Sequence, residues 1–330
     1  MAAIVQIANG SHRGTEITGS FEVVSPLKKS SKGDWFITVN GSDTEFAKDK
    51  IRVRVKSPDD ISAEEEVITE TDEQAMNRIK ERFEILDEMT EATLDGVVRG
   101  MVVSGPPGVG KTYGVEQVLE KDGIFDMLGD KPSRYTFVKG AMSPIGLYVK
   151  LYEYSNAGNI LVLDDCDSIL FNEDALNILK AALDSGKKRK ISWHSDSRIL
   201  RNEGVPNEFI FEGAVVFITN LKFDNVKSSK IKDHLDAILS RCHYLDLSID
   251  SYRDKILRIK QIARDGGLFD EKGLTKYQEQ DIIDFMVANQ TKMRELSLRM
   301  AQKLADLCKM APQNDRWKRL AMTTCMKGTR

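Results

Sequence analysis

Eight consecutive residues, Gly105-Pro106-Pro107-Gly108-Val109-Gly110-Lys111-Thr112, satisfy the pattern G-x-x-x-x-G-K-S/T. In such a loop the glycines let backbone N–H groups converge on the β-phosphate of a nucleotide. The helix that follows adds the positive end of its dipole. Lys111 then neutralises β- and γ-phosphate charge, and the Thr112 hydroxyl offers an oxygen to Mg²⁺. The flanks agree: Met101-Val102-Val103-Ser104 reads as a buried strand, and a helix is expected from Lys111. Further on, Ile160-Leu161-Val162-Leu163 is an apolar strand ending in Asp164-Asp165. A carboxylate at the tip of such a strand, beside the loop strand, holds the water shell of Mg²⁺, a role that falls to Asp164. Asp165 would polarise an attacking water as general base. In the competing reading, Asp165 and Asp167 only cap the next helix.

The chain has 330 residues. The length allows two or three compact units at about 100–200 residues each. Hydrophobic residues at 41% argue for a real core, and charged residues at 30% for a solvated surface. A formal charge of −3 excludes binding of nucleic acid by bulk charge, so any such role needs a local basic patch. Cys166, Cys242, Cys308 and Cys325 form no Cys-x-x-Cys pair, which argues against a zinc site or a disulfide framework and fits a reducing cytosol. The N-terminal residues do not read as a signal peptide, and no apolar run approaches the roughly 20 residues of a membrane span. The expected compartment is the cytoplasm, with no membrane partner.

Three textures divide the chain. Residues 1–57 read as a small all-β barrel, SH3-like or OB-like, with strands at 3–7, 21–24, 35–39 and 51–55 and turns at Asn9-Gly10, Gly33-Asp34 and Asn40-Gly41. The barrel suits a docking domain, or a nucleic-acid binder with few stacking candidates (Phe21, Trp35, Phe36). Residues 58–74 read as an acidic linker, since 59–73 hold eight acidic residues and no basic one. Met76, Ile79, Phe83, Leu86 and Met89 then recur at helical spacing. This helix opens an α/β core with a parallel sheet over 75–247, followed by a helical lid over 248–330.

The loop, followed by Ile-Leu-Val-Leu-Asp-Asp-Cys-Asp-Ser-Ile, resembles the AAA+ family of ring-forming P-loop ATPases over residues 75–310. The resemblance implies ATP and Mg²⁺ as ligands. Gly105, Pro107, Gly108, Val109, Gly110, Lys111, Thr112 and Tyr113 would lie around the nucleotide, and Thr112 and Asp164 at the metal. It departs at Asp165, where most members carry Glu; the shorter side chain implies slow hydrolysis. Asn220, at the end of the apolar strand 214–219, resembles the first sensor, although an Asn there also suits a turn. Arg241, in Ser240-Arg241-Cys242, resembles the arginine finger that reaches a neighbouring subunit's γ-phosphate; a surface ion pair is its plain alternative. Arg294, in Met293-Arg294-Glu295-Leu296, resembles the second sensor at the opening of a lid helix, with Arg299 as the alternative.

A finger implies a homo-oligomer, most often a hexamer, gripping a polymer in its pore. Lys139 to Leu147 occupies the first pore-loop position, with Met142, Ile145 and Leu147 but no aromatic residue before Tyr148. A second segment, residues 187–212, resembles an inserted β-hairpin. It begins Lys187-Lys188-Arg189-Lys190 and carries Trp193, a pattern that could track a phosphate backbone or only complement a helix C-terminus. Protein remodelling is slightly favoured. DNA association, as in helicases, helicase loaders and clamp loaders, and an ATP-switched scaffold with slow hydrolysis remain as alternatives. Residues 143–154 and 176–193 are similar to AAA+ proteins carried by bacteriophages, which would place the chain in a bacterial host's cytoplasm.

Overall fold

Ile51, Val53 and Val55 are buried while Arg52, Arg54 and Lys56 are exposed, so the period-two pattern of this segment does form a strand with one face in a core. The computed structural model describes residues 4–30, 33–42, 44, 46, 48–63, 70–128, 132–223, 229–311 and 315–328. Two compact units emerge, Met1–Thr71 and Asp72–Arg330.

In the first unit, β1 (Ile4–His12) and β2 (Thr15–Lys29) form a hairpin whose two turn residues, Arg13 and Gly14, have φ of 52° and 94°. Paired positive φ values match the twist of the flanking strands. β3 (Trp35–Gly41) and β4 (Lys48–Val55) continue the antiparallel sheet. β1 then pairs with β4 at Gly10↔Val55 and Ser11↔Arg54, closing the sheet on itself as a small barrel. Ile7, Ile17, Ile37, Val39, Ile51, Val53 and Val55 fill it. A 3-10 turn at Pro58–Asp60 leads to β5 (Ile61–Ala63) on β1, so strand pairing runs beyond residue 57. The Asn9-Gly10 pair expected as a turn lies inside β1, at a register shift between Ile7 and Gly10 where the strand changes partner from β5 to β4. Of the acidic run, residues 64–69 lie outside the described residues.

The second unit opens with α1 (Asp72–Leu94), which buries Ala75, Ile79, Phe83 and Leu86. Then come β6 (Gly100–Ser104), α2 (Lys111–Leu128), β7 (Tyr135–Lys139), α3 (Pro144–Glu153), β8 (Ile160–Asp164) and α4 (Glu173–Ala182). β9 (Lys190–Ser192), α5 (Arg198–Asn202) and β10 (Glu208–Ile210) form the inserted hairpin, with β9 and β10 antiparallel. β11 (Ala214–Thr219), α6 (Ser229–Leu239) and β12 (His243–Asp246) complete the core. The sheet is wholly parallel in the order β12-β6-β11-β8-β7. The three central strands β6, β11 and β8 are buried throughout, as strands covered on both faces must be. The strand bearing Asp164 is therefore not beside the loop strand, as expected; β11 intervenes.

α7 (Tyr252–Asp265), α8 (Lys276–Ala288), α9 (Leu298–Met310) and α10 (Arg316–Thr324) form the helical lid around Ile259, Ile282, Met286, Leu304 and Trp317. α7 is tied to α1: Arg78 meets Asp254 at 3.3 Å, and Gln261 donates to the Met76 carbonyl at 3.3 Å. Among the described residues no helix is long and apolar enough to cross a membrane.

Gly10 is where barrel closure is most tightly constrained. A Cβ there would stand 2.5 Å from Val53 Cγ1 and 2.9 Å from the Ile17 carbonyl oxygen. Gly10→Val should destabilise the barrel by about 1–3 kcal/mol. Hydrogen exchange of β1 and β4 amides should accelerate while that of β6 and β11 stays unchanged.

Candidate nucleotide-binding site

The C-terminal ends of β6, β11 and β8 lie side by side, with Ser104 opposite Thr219 and Ile218 opposite Asp164. Ligands of open parallel sheets bind at this edge. The loop leaves β6 there and turns into α2 through Gly108 and Gly110, whose φ values of 73° and 105° suit glycine.

Lys111 is 6% exposed, and its ammonium group donates to the carbonyls of Gly105 at 2.7 Å and Pro106 at 3.0 Å. Its third bond, of 2.7 Å, goes to Asn220 Oδ1. The Asn220 amide nitrogen donates in turn to Asp165 Oδ1 at 2.8 Å. Three strand tips are thereby joined in one chain from lysine through amide to carboxylate. Burial pushes the Lys111 pKa down to about 8, Arg299 lowers it too, and Asp165 and Asp164 pull the other way.

Thr112 donates its hydroxyl hydrogen to Asp164 Oδ1 at 3.0 Å. A hydroxyl and a carboxylate so placed fit Mg²⁺, which takes one or two protein oxygens and completes its shell with water and phosphate. Lys139, opposite Asp164 at the end of β7, brings its ammonium within 3.7 Å of Asp164 Oδ2. The sequence does not point to Lys139, because only strand order brings it to the site. Asp165 and Asp167 do not act as helix caps. Asn172 caps α4, while Asp167 accepts the Thr219 hydroxyl at 2.6 Å. Burial raises the Asp167 pKa, with the Thr219 bond opposing.

The lid meets the loop at the start of α9. Leu298 N–H, an orphan donor of the helix's first turn, donates to the Gly108 carbonyl at 2.9 Å. A Cβ on Gly108 would stand 2.8 Å from Ser297 Cβ and 3.5 Å from Arg299 Cγ. Arg294 lies elsewhere. Its N–H donates to the Cys325 carbonyl and its Nε to the Met326 carbonyl, alongside the Met293–Met326 bridge. The expected placement of Arg294 at a helix opening is thus corrected: residues 293–297 precede the helix, Ser297 caps it, and Arg299 lies beside the loop. Arg258 on α7 is a further cation that periodicity does not single out. It lies 3.4 Å over the Phe83 ring centroid and 3.7 Å from where a Gly110 Cβ would stand. Burial lowers its pKa to about 10, and its Nε has no hydrogen-bond partner among the described residues.

Arg241 is not at this edge. It precedes β12, and its carbonyl lies near Gly100, the first residue of β6. The length of β6, about 13 Å, separates that end from the loop. Its Nη1 donates to the Ala237 carbonyl at 2.5 Å, and Asp184 lies 4.0 Å from its Nε. Tyr113, just past the loop, is 60% exposed.

Comparison with known proteins sets this geometry in context. No family model matches. A protein of Enterobacteria phage T4, described as an uncharacterized 36.7 kDa protein in the nrdC-mobD intergenic region, is 31% identical over 326 residues, 96% of each chain. The chain belongs to the family of this phage protein. The fold is a parallel α/β core with a helical lid, preceded by a small all-β barrel. Similar solved structures include a replication initiator DnaA bound to AMPPCP and single-stranded DNA (TM-score 0.41, 13% identity, 72% of this chain and 63% of that one). NtrX from Brucella abortus with ATP gives a TM-score of 0.43 at 13% identity, over 73% of this chain and 53% of the other. Aeropyrum pernix ORC1 with DNA gives 0.39 at 14%, over 72% and 60%. The chain thus spans less than two thirds of each of these longer proteins.

Two outcomes test the site. Arg299→Ala should weaken nucleotide binding severalfold in calorimetric titration, whereas Arg294→Ala should leave affinity intact and loosen the C-terminal bridge instead. Nucleotide affinity should be flat below about pH 8 and fall above it by up to tenfold per unit. The sign follows because phosphate binds the ammonium form and must raise the Lys111 pKa. Lys111→Arg should flatten that dependence.

Proposed function

We propose that this chain binds Mg·ATP at the loop and hydrolyses it as an oligomer, in the service of work on nucleic acid. The hydrogen-bonded chain Lys111–Asn220–Asp165 carries the reading. Lys111 is placed for the β- and γ-phosphates and Asn220 for the γ-phosphate or the attacking water. Asp165 accepts the proton as the water oxygen bonds to phosphorus and the bond to the departing ADP oxygen breaks. Thr112 and Asp164 would hold Mg²⁺, which when bound neutralises phosphate charge.

Arg241 supports the oligomer. At the opposite end of β6 from its own loop, it cannot serve that loop, yet it is about a third exposed and can serve a neighbouring copy. A guanidinium supplied in trans stabilises charge on the transferred phosphoryl group. The family's habit suggests six copies.

Between polymers, the pore-loop segment weighs against gripping a polypeptide. Leu147 and Tyr148 are fully buried, and Met142 and Ile145 are partly buried against the same core, so little apolar surface is left to grip with. The hairpin offers less to nucleic acid than its sequence suggests. Trp193 packs against Tyr148 with ring centroids 5.8 Å apart, and Lys190 pairs with Glu208. Arg189 is buried and donates to the Ala182 carbonyl at the end of α4, which leaves Lys187 and Lys188 exposed.

Asp165→Asn should retain ATP binding and stop turnover in a steady-state phosphate-release assay; unchanged turnover would reassign the base. Arg241→Ala should abolish turnover. Mixing it with Lys111→Ala subunits, which carry intact fingers, should restore part of the activity, and no recovery at any ratio would remove the trans role.

A further inference from the structure

One surface of the first unit is strongly basic although the chain is near neutral. β4 and the residue after it present Lys48, Lys50, Arg52, Arg54 and Lys56, all exposed, on the face opposite the barrel core. Alternate residues of a strand lie about 6.6 Å apart, so Arg52 and Arg54, in the regularly paired part of β4, are evenly spaced. Lys50 and Lys48 continue the row toward a register shift, and Lys56 lies just past the strand end. None of the five has an ion-pair partner among the described residues. Asp60, which lies near Lys56, is engaged by the backbone N–H groups of Lys56 and Ser57 and by Asn9.

The neighbouring strands extend the surface sideways. Phe36 on β3 stands opposite Arg54, and Lys28 on β2 stands opposite Phe36. The Arg52 guanidinium lies 4.5 Å from the Phe36 ring centroid, so a planar cation and an aromatic ring share the centre of the basic row. A row of cations meets the charges of a phosphodiester backbone, and ring and guanidinium are surfaces on which bases stack. An acidic peptide would use the cations but gain nothing from the aromatic group.

We propose that the β4 face of the barrel binds single-stranded nucleic acid, with Lys50, Arg52 and Arg54 on phosphates and the Phe36–Arg52 pair against a base. The proposal deepens the nucleic-acid reading above by naming the surface that holds the strand, and it requires no hydrolysis.

Fluorescence anisotropy of the full chain with a labelled oligothymidylate of about 20 nucleotides tests it, over about 50–200 mM salt. The variant Lys50→Gln, Arg52→Gln, Arg54→Gln should bind at least about tenfold more weakly, with a log–log salt slope shallower by about 2, since each lost phosphate contact removes about 0.7. Phe36→Leu should weaken binding by about fivefold or more with the slope preserved. Basal ATPase rate and thermal midpoint should stay unchanged in both, which separates lost binding from lost folding. If the triple variant binds normally and Lys187→Gln, Lys188→Gln does not, the β4 assignment falls while the nucleic-acid reading stands. No binding by the unaltered chain even at low salt overturns both. Equal affinity for polyglutamate overturns the proposal in favour of an acidic protein partner.

Discussion

A buried ammonium group sets the terms for the nucleotide site. Lys111 has lost nearly all contact with water, and a cation so placed is tolerated only if each of its hydrogens finds an oxygen. Two of the oxygens belong to the loop itself, at Gly105 and Pro106, and hold the loop closed around its own lysine. The third belongs to Asn220, at the end of another strand. That bond fixes which way the Asn220 amide faces: oxygen to lysine, nitrogen to Asp165. On the proposed reading, phosphates that draw Lys111 away must release the Asn220 oxygen, so occupancy of the loop is felt at the carboxylate through a single side chain.

The same loop is the floor on which the lid rests. α9 satisfies its first N–H with the Gly108 carbonyl, and Gly108 has no side chain to hold Ser297 away. Any change in the loop's backbone on binding phosphate therefore acts on the N-terminus of α9 and on Arg299 beside it. The other end of the lid is anchored differently. α7 is held to α1 by the Arg78–Asp254 pair and by Arg258 lying over Phe83. The lid is thus fastened along α1 and meets the loop at two places, residues 297–299 at the start of α9 and Arg258 on α7.

What could be read from residues alone was local. The loop, the helix starting at Lys111, the buried strands at 101–104 and 160–163 and the core-facing residues Ile79, Phe83 and Leu86 all follow from period and motif, and they stand in the fold. What failed depended on long-range arrangement. Strand order is invisible in spacing, so β11 was not expected between β6 and β8, and Lys139 was not expected beside Asp164. The resemblance puts Arg294 at the opening of a lid helix, whereas the helix begins at Leu298 and Met293 belongs to a bridge with Met326. The basic run at 187–190 read as one charged patch, but Arg189 turns inward to the helix end and Lys190 to Glu208. Asn9-Gly10 has turn chemistry, yet the barrel uses that glycine for lack of bulk and turns at Arg13-Gly14.

Asp165, where the AAA+ resemblance would imply Glu, sits in an unusual backbone conformation. Its φ is +53°, in the left-handed region, while its N–H donates to the Ile218 carbonyl at 3.0 Å. That conformation costs most residues about 1–2 kcal/mol, and among non-glycine residues Asn and Asp occupy it most readily. Of the two carboxylates, Asp is therefore the one this turn accommodates at least strain. The same turn places the short carboxylate within hydrogen-bonding distance of Asn220, so reach lost in the side chain is recovered by the direction of the backbone. Strain of this kind persists only where surrounding bonds hold it. Here those bonds are the β11 carbonyl on one side and the Asn220 amide on the other, the same amide that holds Lys111.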